Sequence, residues 1–179
     1  MKLKGYFQVE CLSHACDVMN RLASILHGIG REHGVRFAIA IPEARIGDRA
    51  HTGRILQVFS DEAIALIHDQ ISKRANIAEY IKIGAIGEVP VASSYTSYAL
   101  FSIPRRSSGV AELRAKRLIE GARLPYFRVA SKSTQQAFSV RVKPTKIEAD
   151  ALSDDVEPNS YGLSVASRAF SLPDVRVGV

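Results

Sequence analysis

The side chains with most chemistry to offer lie in one stretch, residues 126–144, YFRVASKSTQQAFSVRVKP. Two alternating runs, Tyr126–Ala130 and Phe138–Val142, flank the polar segment SKSTQQ, the pattern of a β-hairpin or of two strands joined by a polar loop. Along an extended strand Ser131 and Ser133 point the same way, with Thr134 beside them. On the return strand Arg141 and Lys143 share one face, and Phe138, Val140 and Val142 share the other. Hydroxyls at a strand end, next to basic groups, could hold a phosphate or a ribose. Ser and Thr also dominate turns, so a polar loop that caps its own backbone is the plainer reading of these residues alone.

Five histidines add acid–base chemistry: His14, His27, His33, His51 and His68. None pairs with a Cys or a second His at ligand spacing, so no metal is expected. His68 falls on a helix and reads as a surface residue; His51 falls in a loop. His27 closes the first helix, beside its apolar stripe but off it. There a side chain can reach out of the domain, although a partly buried structural histidine suits the position equally well. The run HGIGREHG has glycines without phosphate-loop spacing, and it ends a helix instead of starting one. There is no GxSxG elbow and no Walker lysine. One His, several hydroxyls, a Tyr and basic residues suit RNA cleavage by the substrate's own 2′-hydroxyl. RNA brings its own nucleophile, and the protein need only position and deprotonate it. A group that titrates near neutrality fits that base role.

These residues need a frame. The chain has 179 residues, 46% of them hydrophobic, enough for a real core in one domain or two small ones. The net charge of +6 and pI near 9.5 suggest an anionic partner. The two cysteines, Cys11 and Cys16, form no CxxC pair and fit buried thiols in a reducing cytoplasm. No apolar run is long enough to span a bilayer. The N-terminus lacks a signal-peptide core, so a soluble, cytoplasmic protein is expected.

In chain order, Leu3, Phe7 and Val9 alternate with Lys4, Tyr6 and Gln8 as a half-buried strand. Ser13 can cap a helix running to about Ile29, with Ala15, Met19, Leu22, Leu26 and Ile29 as its apolar stripe and Gly28 and Gly30 as its end. Residues 35–41 alternate again up to Pro42, a polar loop follows, and 54–59 make another strand. Ser60, Asp61 and Glu62 open a second helix that buries Ile64, Ile67 and Ile71. Residues 81–89 form one more strand. The order is βαββαβ, the ferredoxin-like pattern, over residues 1–90. Pro90 and VASSYTSY read as a crossing into a smaller α+β domain, 91–179, with a basic helix near 109–121 and the hairpin. Arg114 and Arg117, three apart, share a helix face, and Leu113 and Leu118 lie off it and can pack. Such a helix is a candidate groove-binder for nucleic acid, and a solvated mixed-charge face is the plainer reading. The acidic loop 148–157 should stand away from any RNA, and 160–165 reads as a last strand-like piece.

The chain resembles the type I-F CRISPR repeat-processing endoribonucleases. The resemblance runs its length and rests on LHG around His27, LPYFRVASKSTQQAF at 124–138, and SYGLS at 160–164. It implies an N-terminal ferredoxin-like domain and a smaller domain with an arginine-rich helix. It also implies metal- and cofactor-independent cutting of precursor CRISPR RNA at the base of each repeat stem-loop. The products would be a 2′,3′-cyclic phosphate and a 5′-hydroxyl. By this resemblance His27 is the catalytic histidine, Ser131 positions the ribose 2′-hydroxyl, and Ser133 and Thr134 shape that pocket. Phe138 stacks beneath the closing base pair, a usual device in RNA recognition. Tyr161 sits beside the histidine and orients it. Arg114 and Arg117 lie in the helix along the stem. The implied partners are the repeat RNA stem-loop and other type I-F effector subunits. Two departures stand out. The helix is shorter and poorer in arginine, with Ala115, Ile119 and Glu120. The linker has Leu100 and Ser102 in the register of the usual base-reading Arg and Gln, with Arg105 and Arg106 further on. A cleaving enzyme, a non-cleaving stem-loop subunit and an unrelated ferredoxin-like protein are thus the readings in play.

Overall fold

A computed structural model describes residues 1–104, 110–130, 136–147 and 155–175. It is a mixed α+β structure built on two antiparallel sheets. Strand β1 (Gly5–Cys11) buries every second residue, as its alternation requires, with Phe7, Val9 and Cys11 inward. Strand β3 (Ile55–Ser60) pairs with one edge of β1, with Val9 opposite Leu56. Strand β4 (Ile81–Ile83) pairs with the other edge. The expected single strand 81–89 is broken. Gly84 donates its N–H to the Gln8 carbonyl at 2.8 Å, and pairing resumes only in β5 (Gly87–Glu88). Strand β2 (Ala38–Ala40) lies outside β3, giving the order β2-β3-β1-β4.

Residues 37–41 are buried throughout, not half-buried as their alternation suggested. The reason is a loop from far along the chain. Ile39 donates its N–H to the Gly162 carbonyl at 2.9 Å, closing the free edge of β2.

Helix α1 (Ala15–His33) departs from expectation at both ends. His14, at φ 47°, precedes it, and no side chain caps it, Ser13 included. It then runs through Gly28 and Gly30, and Gly34 at φ 65° ends it. A glycine inside a helix costs about 1 kcal/mol against alanine, whereas each buried Leu or Ile contributes roughly 1.5–3 kcal/mol. Leu22, Leu26 and Ile29 are all buried and keep the helix going. Gly30 also has a packing reason, since a Cβ there would stand 3.2 Å from the Phe37 ring.

Helix α2 (Ile64–Ser72) buries Ile64, Ile67 and Ile71 as expected, and the Asp61 carboxylate accepts the Ala63 N–H at 3.0 Å just before it. A short α3 (Ala75–Ala78) follows, which the sequence reading omits. His68, expected at the surface, is half-buried on α2, edge-on to Phe7 at 5.0 Å and 3.1 Å from the Gly84 carbonyl. Of the two thiols only Cys11 is buried, where desolvation pushes it up to about 11; Cys16 is exposed.

The second sheet begins inside the supposed crossing. Strand β6 (Tyr95–Phe101) is a core strand with Tyr95 to Tyr98 buried. Strands β7 (Tyr126–Ala130) and β8 (Ala137–Ile147) form the hairpin, paired from Tyr126–Arg141 to Ala130–Ala137. β8 continues past Pro144, where β7 has ended and β6 is its neighbour, so the missing N–H is tolerated. With β9 (Leu172–Pro173) the order is β7-β8-β6-β9. Of residues 160–165, the first half is a turn around Gly162, at φ 77°, and the second keeps a parallel bridge to β6, Ser164 donating to the Tyr98 carbonyl at 2.9 Å and accepting the Leu100 N–H at 2.7 Å. Helix α4 (Ala111–Ala122) follows β6.

One hydrophobic cluster joins the two sheets, with Phe7, Met19, Leu22 and Ile39 from the first half and Tyr98, Phe127, Val142 and Leu163 from the second. No helix among the described residues is long and apolar enough to cross a membrane.

Candidate active site

Helix α1 carries the site's histidine. Asn20, His27 and Arg31 are spaced seven and four apart, which puts them in one row along the helix. Asn20 fixes that row against the second sheet, its amide oxygen accepting the Arg128 N–H of β7 at 2.7 Å. Seven residues on, His27 is half-buried at the seam, facing the loop that carries Tyr161.

That loop is tied by Asn159. Its side-chain oxygen accepts the N–H of Tyr161 at 2.8 Å and of Leu163 at 3.0 Å, an Asx-type knot. Its backbone closes the turn as well, with Gly162 N–H on the Asn159 carbonyl and Asn159 N–H on the Leu163 carbonyl, both at 2.9 Å. Gly162 is required here on two counts. Its φ is positive, and a Cβ would stand 2.8 Å from the Phe37 ring.

The knot presents two groups to His27. The Ser160 carbonyl lies 3.0 Å from Nδ1. A carbonyl can only accept, so Nδ1 carries the hydrogen and Nε2 of the neutral ring keeps its lone pair. The Tyr161 ring stacks on the imidazole at 4.4 Å and 11°. Phe138, 43% exposed on β8, meets the Tyr161 ring edge-on at 6.4 Å and 79°. Burial raises the Tyr161 phenol above its ordinary value, so at neutral pH it is an uncharged hydroxyl on a ring that packs, not a base.

The structure thus brings together His27, Tyr161 and Phe138, from three elements far apart in sequence. Chemically the set offers an imidazole with Nδ1 engaged, whose neutral form has its lone pair on Nε2, and an exposed aromatic ring against Tyr161.

Arg114 and Arg117 are not part of this cluster. On β8 Arg141 alternates with Val140 and Val142, so it lies on the face of the second sheet opposite Phe138. Helix α4 packs on the Arg141 face, where Arg141 donates to the Gly121 carbonyl at 3.1 Å and Lys143 pairs with Glu120 at 2.6 Å. Arg114 donates to the Pro104 carbonyl, and Arg117 lies over the Phe101 ring at 4.7 Å and reaches the Ser102 carbonyl at 3.4 Å. The packing expected of Leu113 and Leu118 is therefore corrected. The arginine side faces the sheet, while Leu113, Leu118 and Ile119 are 49%, 45% and 71% exposed. The linker residue Leu100 packs against the core instead of standing free.

Ser131, Ser133, Thr134, Arg105 and Arg106 lie outside the described residues, as does most of the acidic loop, 148–154. Sequence reasoning missed Asn159 and the Ser160 carbonyl. Their only signal was an Asn two residues before Tyr161 and three before a glycine, a turn signature. Among the described residues no three His, Cys, Asp or Glu side chains group as a metal-ligand set. No family model and no curated protein matches the chain.

Proposed function

We propose that this chain is a metal-independent endoribonuclease that cuts precursor CRISPR RNA at the base of the repeat stem-loop and keeps hold of the stem-loop as a subunit of a type I-F effector complex. The observation that carries the reading is His27, with its Nδ1 on the Ser160 carbonyl, its ring on Tyr161, and Phe138 beyond. The strand order β2-β3-β1-β4, joined as βαββαβ, supports a ferredoxin-like first sheet.

The mechanism follows from the free nitrogen. Nε2 takes the proton of the ribose 2′-hydroxyl, and the 2′-oxygen attacks the adjacent phosphorus. The bond from phosphorus to the 5′-oxygen breaks, its electron pair leaving with that oxygen, which takes a proton from solvent. The proton on His27 returns to solvent, so the step is a transesterification that consumes no water and leaves a 2′,3′-cyclic phosphate and a 5′-hydroxyl. The Tyr161 face meets the imidazolium while it is charged. Phe138 is the platform for the closing base pair of the stem. Ser131 orients the 2′-hydroxyl, Ser133 and Thr134 help to shape its pocket, and Arg105 and Arg106 add stem contacts; Arg114 and Arg117, engaged on the other face of the sheet, serve the fold.

The test is incubation with the repeat RNA of the protein's own locus in EDTA, with products resolved on a denaturing gel. A single cut at the 3′ base of the hairpin, ending in a cyclic phosphate, is expected. His27→Ala should abolish it, a loss of at least about 100-fold for a general base, with stem-loop affinity unchanged. Binding without any cut by the wild type would leave a stem-loop-holding subunit. Loss of binding together with cleavage in His27→Ala would remove the base assignment.

A further inference from the structure

Any RNA whose backbone passes His27 must continue on both sides of the scissile phosphate. Phe138 accounts for one side only. On the other, α1 and the 158–160 loop enclose a hollow of about 240 Å³. His27, Arg31, Gly34, Arg36, Asn159 and Ser160 line it, and neither Phe138 nor Tyr161 does. It thus reaches His27 without sharing a lining residue with the aromatic platform.

Its charge is one-sided. Arg31 and Arg36 are both exposed, and no carboxylate lines the hollow. Glu32, next to Arg31, is turned toward Arg74 at 3.9 Å. Asp155 feels the charge of Arg36, but its carboxylate is engaged by the amine of Met1. Arg31 lies one turn beyond His27 on the same face, so a phosphate held by it is one nucleotide step from the imidazole. Gly34, also on the lining, faces open space, with nothing within 4 Å of where a Cβ would stand, which leaves backbone room beside the guanidinium groups. The neutral rim, Asn159 and Ser160, offers hydrogen-bonding groups of the kind that meet sugar hydroxyls.

We propose that this hollow is the subsite for the nucleotide 3′ of the cut, with Arg31 and Arg36 holding its downstream phosphate while the 5′-oxygen departs. The inference rests on the endoribonuclease reading and deepens it. The side of the histidine away from the stem receives single-stranded RNA and releases it after cleavage.

The experiment compares two RNAs. One is the stem-loop ending at the cut. The other carries a few further 3′ nucleotides and a 2′-deoxy substitution at the cut, so that it binds without reacting. The wild type should bind the extended RNA roughly tenfold more tightly, as two charge-assisted phosphate contacts suggest, with a salt slope steeper by about 1.4. In the double variant Arg31→Gln/Arg36→Gln that advantage and the extra slope should vanish, with affinity for the shorter RNA unchanged. Cleavage of the natural, extended repeat should then need correspondingly more enzyme. Both residues are exposed, and an unchanged melting curve confirms that the variant is folded. Equal affinity of the wild type for both RNAs, or a full advantage kept by the variant, overturns the subsite while cleavage by the wild type still stands. A wild type that neither binds nor cuts the repeat overturns the parent reading, and this inference with it.

Discussion

At the scale of single residues, the site turns on which atom of His27 is free. The Ser160 carbonyl occupies Nδ1, so the remaining chemistry belongs to Nε2. Tyr161 contributes a ring face at 4.4 Å and is not a base, because burial raises its phenol further above neutrality. Tyr161→Phe should accordingly keep the cleavage rate within about threefold of wild type, whereas Tyr161→Ala, which removes the stack, should lower it by about tenfold or more, given that an aromatic pair is worth roughly 0.5–1.5 kcal/mol and also orients the ring. Single-turnover rates with saturating enzyme separate this from binding. The sign of the pH effect follows from the same shift. A phenol raised above its ordinary value stays neutral past pH 9, so the wild-type profile should have no alkaline loss traceable to Tyr161 below that pH. A profile that falls between pH 8 and 9 in the wild type and not in Tyr161→Phe would assign the hydroxyl a role that the geometry does not give it.

At the scale of elements, helix α4 is the part whose orientation changes its meaning. A helix with Arg114 and Arg117 on one side and leucines on the other would ordinarily put the leucines inward. Here the core side of the second sheet is already filled by Phe127, Val129, Val140 and Val142. What remains for α4 is the other face, with Arg141, Lys143 and the edge of Phe101, and polar contacts suit it. Arg114 and Arg117 spend donors on the Pro104 and Ser102 carbonyls, and Arg117 lays its guanidinium over the Phe101 ring. Replacing both with Ala should therefore cost about 1–2 kcal/mol of folding stability, a fall in Tm of roughly 2–8 °C for a chain of this size. Thermal denaturation followed by circular dichroism measures it, and a Tm unmoved by the double substitution would mean that α4 is held by other contacts.

At the scale of the whole molecule, the sheets divide the chain between Glu88 and Tyr95, yet their side chains pool into one core. The edge of β2 is completed by Gly162, α1 is anchored to β7 through Asn20, and Phe127 of the second sheet is fully buried in the common cluster. The protein should melt in one cooperative transition, with far-ultraviolet circular dichroism and tyrosine fluorescence coinciding. Phe127→Ala should lower the stability of the whole by about 3–5 kcal/mol. Two resolved transitions, with Phe127→Ala moving only one, would show that the sheets fold independently. The catalytic reading depends on this union. His27 comes from α1 of the first unit, and Tyr161 and Phe138 come from the second.

How much of this was legible in the sequence depends on how local the cause is. The alternation of β1, the isoleucines of α2 and the hairpin strands at Tyr126–Ala130 and Phe138–Val142 follow from residue periodicity, which a strand or helix imposes on its own side chains. His27 can be named as a candidate from residue type and setting, whereas Tyr161 and Phe138 enter only through the resemblance. Other features are set by neighbours distant along the chain. Helix α1 runs on through Gly28 and Gly30 because burial along its length outweighs two glycines. The second half of VASSYTSY, polar in composition, becomes part of a central strand because β8 and β9 pair with it. The first half of the 160–165 stretch, alternating enough to read as a strand, is bent into a turn where Gly162 fits against Phe37, and only beyond it does Ser164 bridge β6. The sequence by itself thus determined the secondary elements whose pattern is short-ranged, and the residue types that could carry the chemistry. Only the tertiary structure decided that His27 and Tyr161 stack, that Asn159 and the Ser160 carbonyl hold the imidazole in one tautomer, and that the arginines of α4 lie on the other side of the sheet. Each of these is a contact between groups far apart in the chain, and such contacts exist only once the core has closed.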